Sequence, residues 1–87
     1  MLDAKTRETM TRNELISHHM RRLALIADPV NGHLSKLADH IEVHATTISA
    51  WIAQGYVPWF QCKKIQKRFG RKLVPLDELC PEEFRSA

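Results

Sequence analysis

The sequence predicts an all-α fold, a single small domain of about five helices with a central helix-turn-helix. Apolar residues recur at intervals of three and four in successive segments, which is the spacing of one helix face. No segment shows the alternation of apolar and polar residues that is typical of a strand. A chain of 87 residues can bury one modest core. We therefore expect residues 11–87 to form the domain and residues 1–10 to be a flexible N-terminal segment.

The first helix is predicted to begin at a capping box. In Thr11-Arg-Asn-Glu14 the threonine hydroxyl and the glutamate three residues later can each accept a hydrogen bond from the other's backbone N–H. The helix should end near Asp28, because Pro29 disfavours the α conformation of the residue before it. The loop PVNGH follows. The predicted core-facing residues of this helix are Leu15 or Ile16, His19, Met20, Leu23, Ile26 and Ala27.

Residues 34–55, LSKLADHIEVHATTISAWIAQG, are interpreted as the helix-turn-helix. Ala38 is the small residue required where the two helices cross, and Val43 fills the turn. Glu42 stands where glycine is usual, so it must adopt a left-handed conformation at a cost of about 1 kcal/mol or more, or alter the turn. Gly55 suits the left-handed residue that ends the second of these helices. The expected core residues of the pair are Leu34, Leu37, Ile41, Ile48, Trp51 and Ile52.

A fourth helix is predicted between Val57-Pro58 and Gly70. Its expected core-facing residues are Trp59, Cys62, Ile65 or Gln66, and Phe69. The segment RKLVP after Gly70 is expected to be extended, and one short helix and a turn should follow. Three apolar residues of that last segment could close the core of a monomer or bridge two subunits: Leu76, Leu79 and Phe84.

No apolar run approaches the roughly 18 residues that a membrane span requires, and the first ten residues lack the apolar core of a secretory signal. We therefore expect a cytoplasmic protein, in a compartment where disulfide bonds are rare. Cys62 and Cys80 are accordingly interpreted as small hydrophobic residues. Neither the cysteines nor the histidines have the spacing of a zinc site, so no metal or other cofactor is expected.

The second helix of the helix-turn-helix has an unusual composition, since no Asp, Glu, Lys or Arg occurs from Val43 to Gly55. Short side chains let a helix backbone approach the base edges in the major groove. Basic residues collect instead on the fourth helix and just beyond it, at Lys63, Lys64, Lys67, Arg68, Arg71 and Lys72. We interpret the second helix of the helix-turn-helix as a DNA-reading element and the basic side of the fourth helix as a phosphate-facing surface. The alternatives are a helix buried on all sides and a basic face that serves only solubility.

The segment LSKLADHIEVHATTISAWIAQGYVP resembles the Cro-like phage repressors of the lambda-repressor-like helix-turn-helix family, and most closely the YdaS-type prophage regulators. The likeness depends on Ala38, Val43, the Ile48-Ser49-x-Trp51 block and the Gly55-x-Val57-Pro58 link into a helix that carries Cys62. It extends more loosely from about Leu23 to the end of the chain, through LVPLDELCPEEF. The resemblance implies a transcriptional repressor that occupies a double-stranded DNA operator as a homodimer, formed in solution or only on DNA.

The same resemblance implies which residues contact DNA. The positions that would meet base edges are His44, Ala45, Thr46, Ser49 and Ala53. The positions that would approach phosphates are Ser35, Lys36, Thr47, Gln61, Lys63 and Lys64. None of the base-facing positions carries the Arg, Lys, Asn or Gln that makes the strongest base contacts. Residues 1 to about 22 have no counterpart in the shortest members of the family.

Two other functions remain open at the level of sequence. The same fold could activate transcription by touching polymerase, or it could bind a partner protein through the uncharged helix. Phosphate contacts make DNA affinity depend steeply on salt, whereas an apolar protein interface should be nearly indifferent to it. An enzyme is not expected, because the sequence has no glycine-rich phosphate loop and no arrangement of residues that would assemble a catalytic site.

Overall fold

The computed structural model of the chain describes residues 10–85, and these residues fold into helices with no strand among them. The five α-helices are α1 (Arg12–Ala27), α2 (Leu34–His40), α3 (Ala45–Gln54), α4 (Trp59–Phe69) and α5 (Leu76–Leu79), and a 3₁₀ helix follows at Glu82–Phe84. The predicted all-α domain of five helices is therefore confirmed. The prediction of a flexible segment at residues 1–10 falls, except for Met10, outside the described residues.

Helix α1 begins at the predicted capping box. The Thr11 hydroxyl accepts a hydrogen bond from the Glu14 N–H at 3.1 Å, and the Glu14 carboxylate accepts one from the Thr11 N–H at 3.4 Å. The buried residues of α1 are Leu15, Ile16, His19, Met20, Leu23 and Ala24. Ile26 was wrongly expected in the core and is 43% exposed. The buried residues of α1 end at Ala24, so Ile26, in the last turn, lies beyond the packed part of the helix although it shares the helix face of His19.

The core is centred where α1, α2 and α3 pack against one another. Leu37 and Ala38 of α2 and Ile41, which follows its last residue, form one buried cluster with Ile48 and Trp51 of α3. Ala38, which was predicted to be the small residue between these helices, is buried in this cluster. Val43 and Ile52 are only partly buried and pack against the edge of the same core.

Helix α4 ends before Gly70, which has φ of +91°, and the chain turns there. The prediction of an extended RKLVP segment is wrong for its first three residues, since residues 71–73 form a turn. The reason is a long-range contact: the Arg22 guanidinium of α1 donates a hydrogen bond to the Leu73 carbonyl oxygen at 2.7 Å and holds the turn against α1. A local pattern in the sequence does not reveal this partner.

Helix α5 completes the core of the monomer. Leu79 is fully buried, and its carbonyl oxygen accepts a hydrogen bond from the Val57 N–H at 2.9 Å. Leu76 and Phe84 pack against the core while keeping part of their surface exposed. Cys62 and Cys80 are also fully buried, which confirms their interpretation as core residues. Between Met10 and Arg85, no helix combines the length and the apolar character needed to cross a bilayer.

Candidate nucleic-acid interface

Helix α3 has one anchored side and one open side. Ile48 and Trp51 are buried and fix the helix to the core. The open side, which we call the α3 outer face, consists of small or short uncharged residues: Ala45, Thr46, Ser49, Ala50 and Ala53. All five are exposed, as is His44 at the N-cap. The structure therefore brings the predicted base-facing residues onto one accessible surface and adds Ala50, which the sequence analysis did not include.

In the turn before α3, Glu42 adopts the left-handed conformation, which was one of the two alternatives that the sequence left open. Glu42 has φ of +61°, the one positive φ of a non-glycine residue among residues 10–85. The following Val43 N–H donates a hydrogen bond to the Ala38 carbonyl oxygen at 2.9 Å, which closes the turn over α2. The chain thus keeps the short helix-turn-helix connection without the usual glycine. This conformation is costly for a residue with a Cβ atom.

The carboxyl end of α3 is fastened to the start of α1. The Asn13 side-chain amide donates hydrogen bonds to the carbonyl oxygens of Ile52 and Ala53, at 2.8 and 2.7 Å. The Arg12 guanidinium donates to the Gly55 carbonyl oxygen at 3.0 Å, and its other end donates to the Glu78 carbonyl oxygen at 2.6 Å. These bonds satisfy carbonyl groups that a helix end leaves without partners. Neither residue could be identified from the sequence, because partners about forty positions away leave no local pattern.

The basic residues of α4 lie on its exposed side, as predicted: Lys63, Lys64, Lys67 and Arg68. The Arg68 guanidinium lies 3.4 Å from the Glu42 carboxylate, so this edge of α4 adjoins the turn that precedes α3. Helical periodicity places Gln61 and Lys64 on the same stripe as Arg68, at i−7 and i−4. Lys63 lies about 100° round the helix from Lys64, and its ammonium is 5.7 Å from the Trp59 ring centre.

The remaining predicted phosphate-facing residues occupy the two helices of the helix-turn-helix. Ser35 and Lys36 are exposed in the first turn of α2, and Thr47 is half-buried in the first turn of α3. Gln54, the last residue of α3, uses its side-chain amide to donate a hydrogen bond to the Tyr56 carbonyl oxygen at 2.9 Å. Among residues 10–85, no three His, Cys, Asp or Glu side chains are grouped so that they could hold a metal ion.

A buried polar pair lies behind the helix-turn-helix, where α1 meets α5. The His19 Nε2 atom is 2.9 Å from a Glu78 carboxylate oxygen, while its buried Nδ1 atom has no hydrogen-bond partner in the described part of the chain. Burial lowers the pKa of His19 below its ordinary value, and Glu78 opposes that shift only in part. Burial thus favours the neutral form of the imidazole.

Comparisons of the chain with protein-family models, with curated proteins and with solved structures gave no match. The resemblance to Cro-like repressors accordingly stays a prediction.

Proposed function

We propose that the chain is a sequence-specific DNA-binding protein that represses transcription by occupying an operator, and that it belongs to a phage, a prophage or a plasmid. The observation that carries this proposal is the α3 outer face, which is accessible, uncharged and built from side chains no longer than threonine. Such a surface allows the helix backbone to approach base edges in the major groove. A helix that served only solvent exposure would ordinarily carry charged residues there.

We assign contacts with base edges to His44, Ala45, Thr46, Ser49 and Ala53. Alanine and threonine methyl groups can contact the methyl group of thymine, while the hydroxyl groups of Thr46 and Ser49 can donate to or accept from base edges. Water molecules can extend such short side chains to bases that they do not reach directly. Specificity would then come from several modest contacts and not from one strong bidentate pair.

We assign contacts with the DNA phosphates to Ser35, Lys36, Thr47, Gln61, Lys63 and Lys64. Phosphate contacts of this kind set the register of a protein on the duplex without reading its sequence. Gln61 and Lys64 are the stronger candidates on α4, because they share the stripe that Arg68 joins to the turn before α3. The net charge of +3 is compatible with a polyanionic partner. A homodimer, formed in solution or on DNA, would place two such surfaces on one operator.

The proposal is tested by fluorescence anisotropy with the DNA upstream of the protein's own gene and with a scrambled duplex of equal length. We expect tighter binding to the native duplex. If about four phosphates are neutralised, affinity should fall about a hundredfold between roughly 50 and 200 mM salt. Equal binding to both duplexes would contradict sequence specificity. A reporter gene placed behind the bound site then separates repression from activation by the sign of its response.

A protein-interaction module of the same fold is the second candidate. It is favoured by the absence of Arg, Lys, Asn and Gln from the α3 outer face, and by the acidic Glu42 beside the start of α3. A module of this kind would bind neither duplex at low salt. Affinity for its protein partner would change little over the same range of salt concentration, because apolar contacts release few counterions.

A further inference from the structure

An open cavity of about 410 Å³ lies between the start of α4 and the 3₁₀ helix, lined by Tyr56, Pro58, Trp59, Phe60, Phe84 and Arg85. Its walls are held in place by aromatic contacts. The Tyr56 ring stacks on Phe84 with ring centres 4.6 Å apart and planes inclined by 2°. The Arg85 guanidinium lies 4.0 Å from the centre of the Trp59 ring and is also bonded to Asp77 at 2.7 Å. The cavity is therefore preformed and has mainly aromatic walls.

Phe60 stands at the rim of this cavity and is 70% exposed. It lies in the first turn of α4, between the partly buried Trp59 and Gln61. An exposed phenylalanine leaves in water an apolar surface that would be stabilised by burial. The cavity is roomy enough for a phenyl ring, and Phe60 leaves most of its own ring exposed beside it. A two-fold contact uses the same patch on both copies, so an exposed ring and an aromatic cavity on one patch can complement each other.

The charged residues beside the cavity are also complementary to those of a second copy. Lys63 borders one wall, since its ammonium lies 5.7 Å from the Trp59 ring centre. Glu82 and Glu83 border the other wall, since they are exposed and directly precede Phe84. A two-fold axis brings the basic edge of one copy to the acidic edge of the other. A surface with a single sign of charge would instead repel its own copy.

We propose that the occupant of this cavity is a second copy of the chain, with Phe60 of each copy inserted into the cavity of the other. Lys63 of each copy then faces the acidic pair of its partner. Six residues line the cavity, fewer than the about 20 to 30 residues on each side of a stable interface, so the dimer should be weak in solution. This inference deepens the dimeric operator binding proposed above, but the contact itself requires no DNA.

Sedimentation equilibrium of the full chain, from about 10 μM to about 1 mM, measures this contact. We expect a reversible monomer–dimer equilibrium. Phe60→Asp should weaken the association at least tenfold, as expected for loss of a central aromatic anchor. Val30→Asp is the control, because Val30 is another exposed apolar residue, 86% accessible, in the loop after α1. Circular dichroism checks that both variants keep the wild-type helix content.

A charge-reversal experiment tests the two-fold geometry. Lys63→Glu alone and the double variant Glu82→Lys/Glu83→Lys alone should each associate more weakly than the wild type, because like charges face each other in both homodimers. A mixture of the two variants should associate more strongly than either alone, since each of its two contacts again joins opposite charges. A mixture that shows no gain would overturn the proposed geometry.

A wild-type chain that stays monomeric to about 1 mM would overturn the proposal, and so would equal effects of Phe60→Asp and Val30→Asp. These outcomes are separate from the fate of the DNA-binding proposal. A monomer that binds the native duplex specifically keeps the proposed function and loses this contact. A dimer that binds no DNA keeps the contact and loses the proposed function.

Discussion

Asn13 caps the carboxyl end of α3 by donating a side-chain hydrogen bond to the Ala53 carbonyl oxygen at 2.7 Å. A second bond from the same amide reaches Ile52 at 2.8 Å. Asn13 lies in the first turn of α1, so the orientation of α3 is set at its far end by a helix outside the helix-turn-helix. The role of this part of residues 1–22, which the sequence left open, is thus to hold α3 in place.

Replacing this cap gives the first prediction. Asn13→Ala should lower the free energy of unfolding by about 1 kcal/mol, because two carbonyl groups at a partly hydrated helix end lose their partner. It should also reduce the ratio of specific to nonspecific DNA affinity, since α3 becomes less rigidly placed. Urea unfolding and anisotropy measure the two effects. Asn31→Ala, at an exposed asparagine in the loop after α1, is the control and should change neither quantity.

The proposed DNA contacts predict two distinct kinds of variant. Lys64→Ala should weaken binding to every duplex alike and reduce the salt slope by about 1, and Lys63→Ala should do so less. Lys64→Arg should retain the affinity, because it keeps the charge. Thr46→Ala and Ser49→Ala should instead weaken binding to the native duplex more than to the scrambled one. Equal losses on both duplexes for Thr46→Ala and Ser49→Ala would contradict the assignment of α3 as the reading helix.

The left-handed Glu42 predicts a stabilising substitution. Glu42→Gly should be about 1 kcal/mol more stable than Glu42→Gln, because glycine adopts φ of +61° without a Cβ clash. The glutamine variant removes the ion pair with Arg68 while keeping the strain. That ion pair joins two exposed side chains at 3.4 Å and should itself contribute little. Urea unfolding of the two variants isolates the backbone effect, and equal stabilities would show that the turn is unstrained.

The buried His19 predicts a loss of stability in mild acid. Burial lowers its folded-state pKa below the ordinary 6.5, so the unfolded chain binds more protons as the pH falls through that value. The free energy of unfolding should therefore decrease from neutral pH toward the lower folded-state pKa, and this contribution should then level off. Denaturation at a series of pH values measures the slope. His19→Gln should flatten it between neutral pH and mild acid.

Local signals in the sequence predicted most of the helices. Three of these signals act within a few residues: the capping box at Thr11, Pro58 before α4, and Gly55 with φ of +84° after α3. The neighbouring residues in the sequence therefore predict where each helix begins or ends. The contacts of Arg12 and Asn13 with the end of α3 could not be predicted in this way, because a polar side chain in a first helical turn does not reveal a distant partner. The same is true of Arg22 and the turn at Leu73.

The residues of the candidate site likewise include some that local sequence signals predicted and some that they could not predict. Helical spacing identified His44, Thr46 and Ser49 as accessible because burial of Ile48 and Trp51 turns the opposite side outward. The aromatic cavity beside Phe60 could not be foreseen, since it depends on how the end of the chain returns to the start of α4. The sequence shows that both segments are apolar, but it does not show that they meet.

The positions of the two native cysteines make the folded protein convenient to label at an introduced cysteine. Both thiols are fully buried, and burial raises the pKa of Cys62 to about 12. The thiolate that reacts with maleimides is therefore scarce at neutral pH for as long as the fold persists. A cysteine introduced by Ala50→Cys, on the α3 outer face, would be the readily alkylated thiol of the folded protein. A fluorophore could thus be attached at the surface of greatest interest without first replacing either native cysteine.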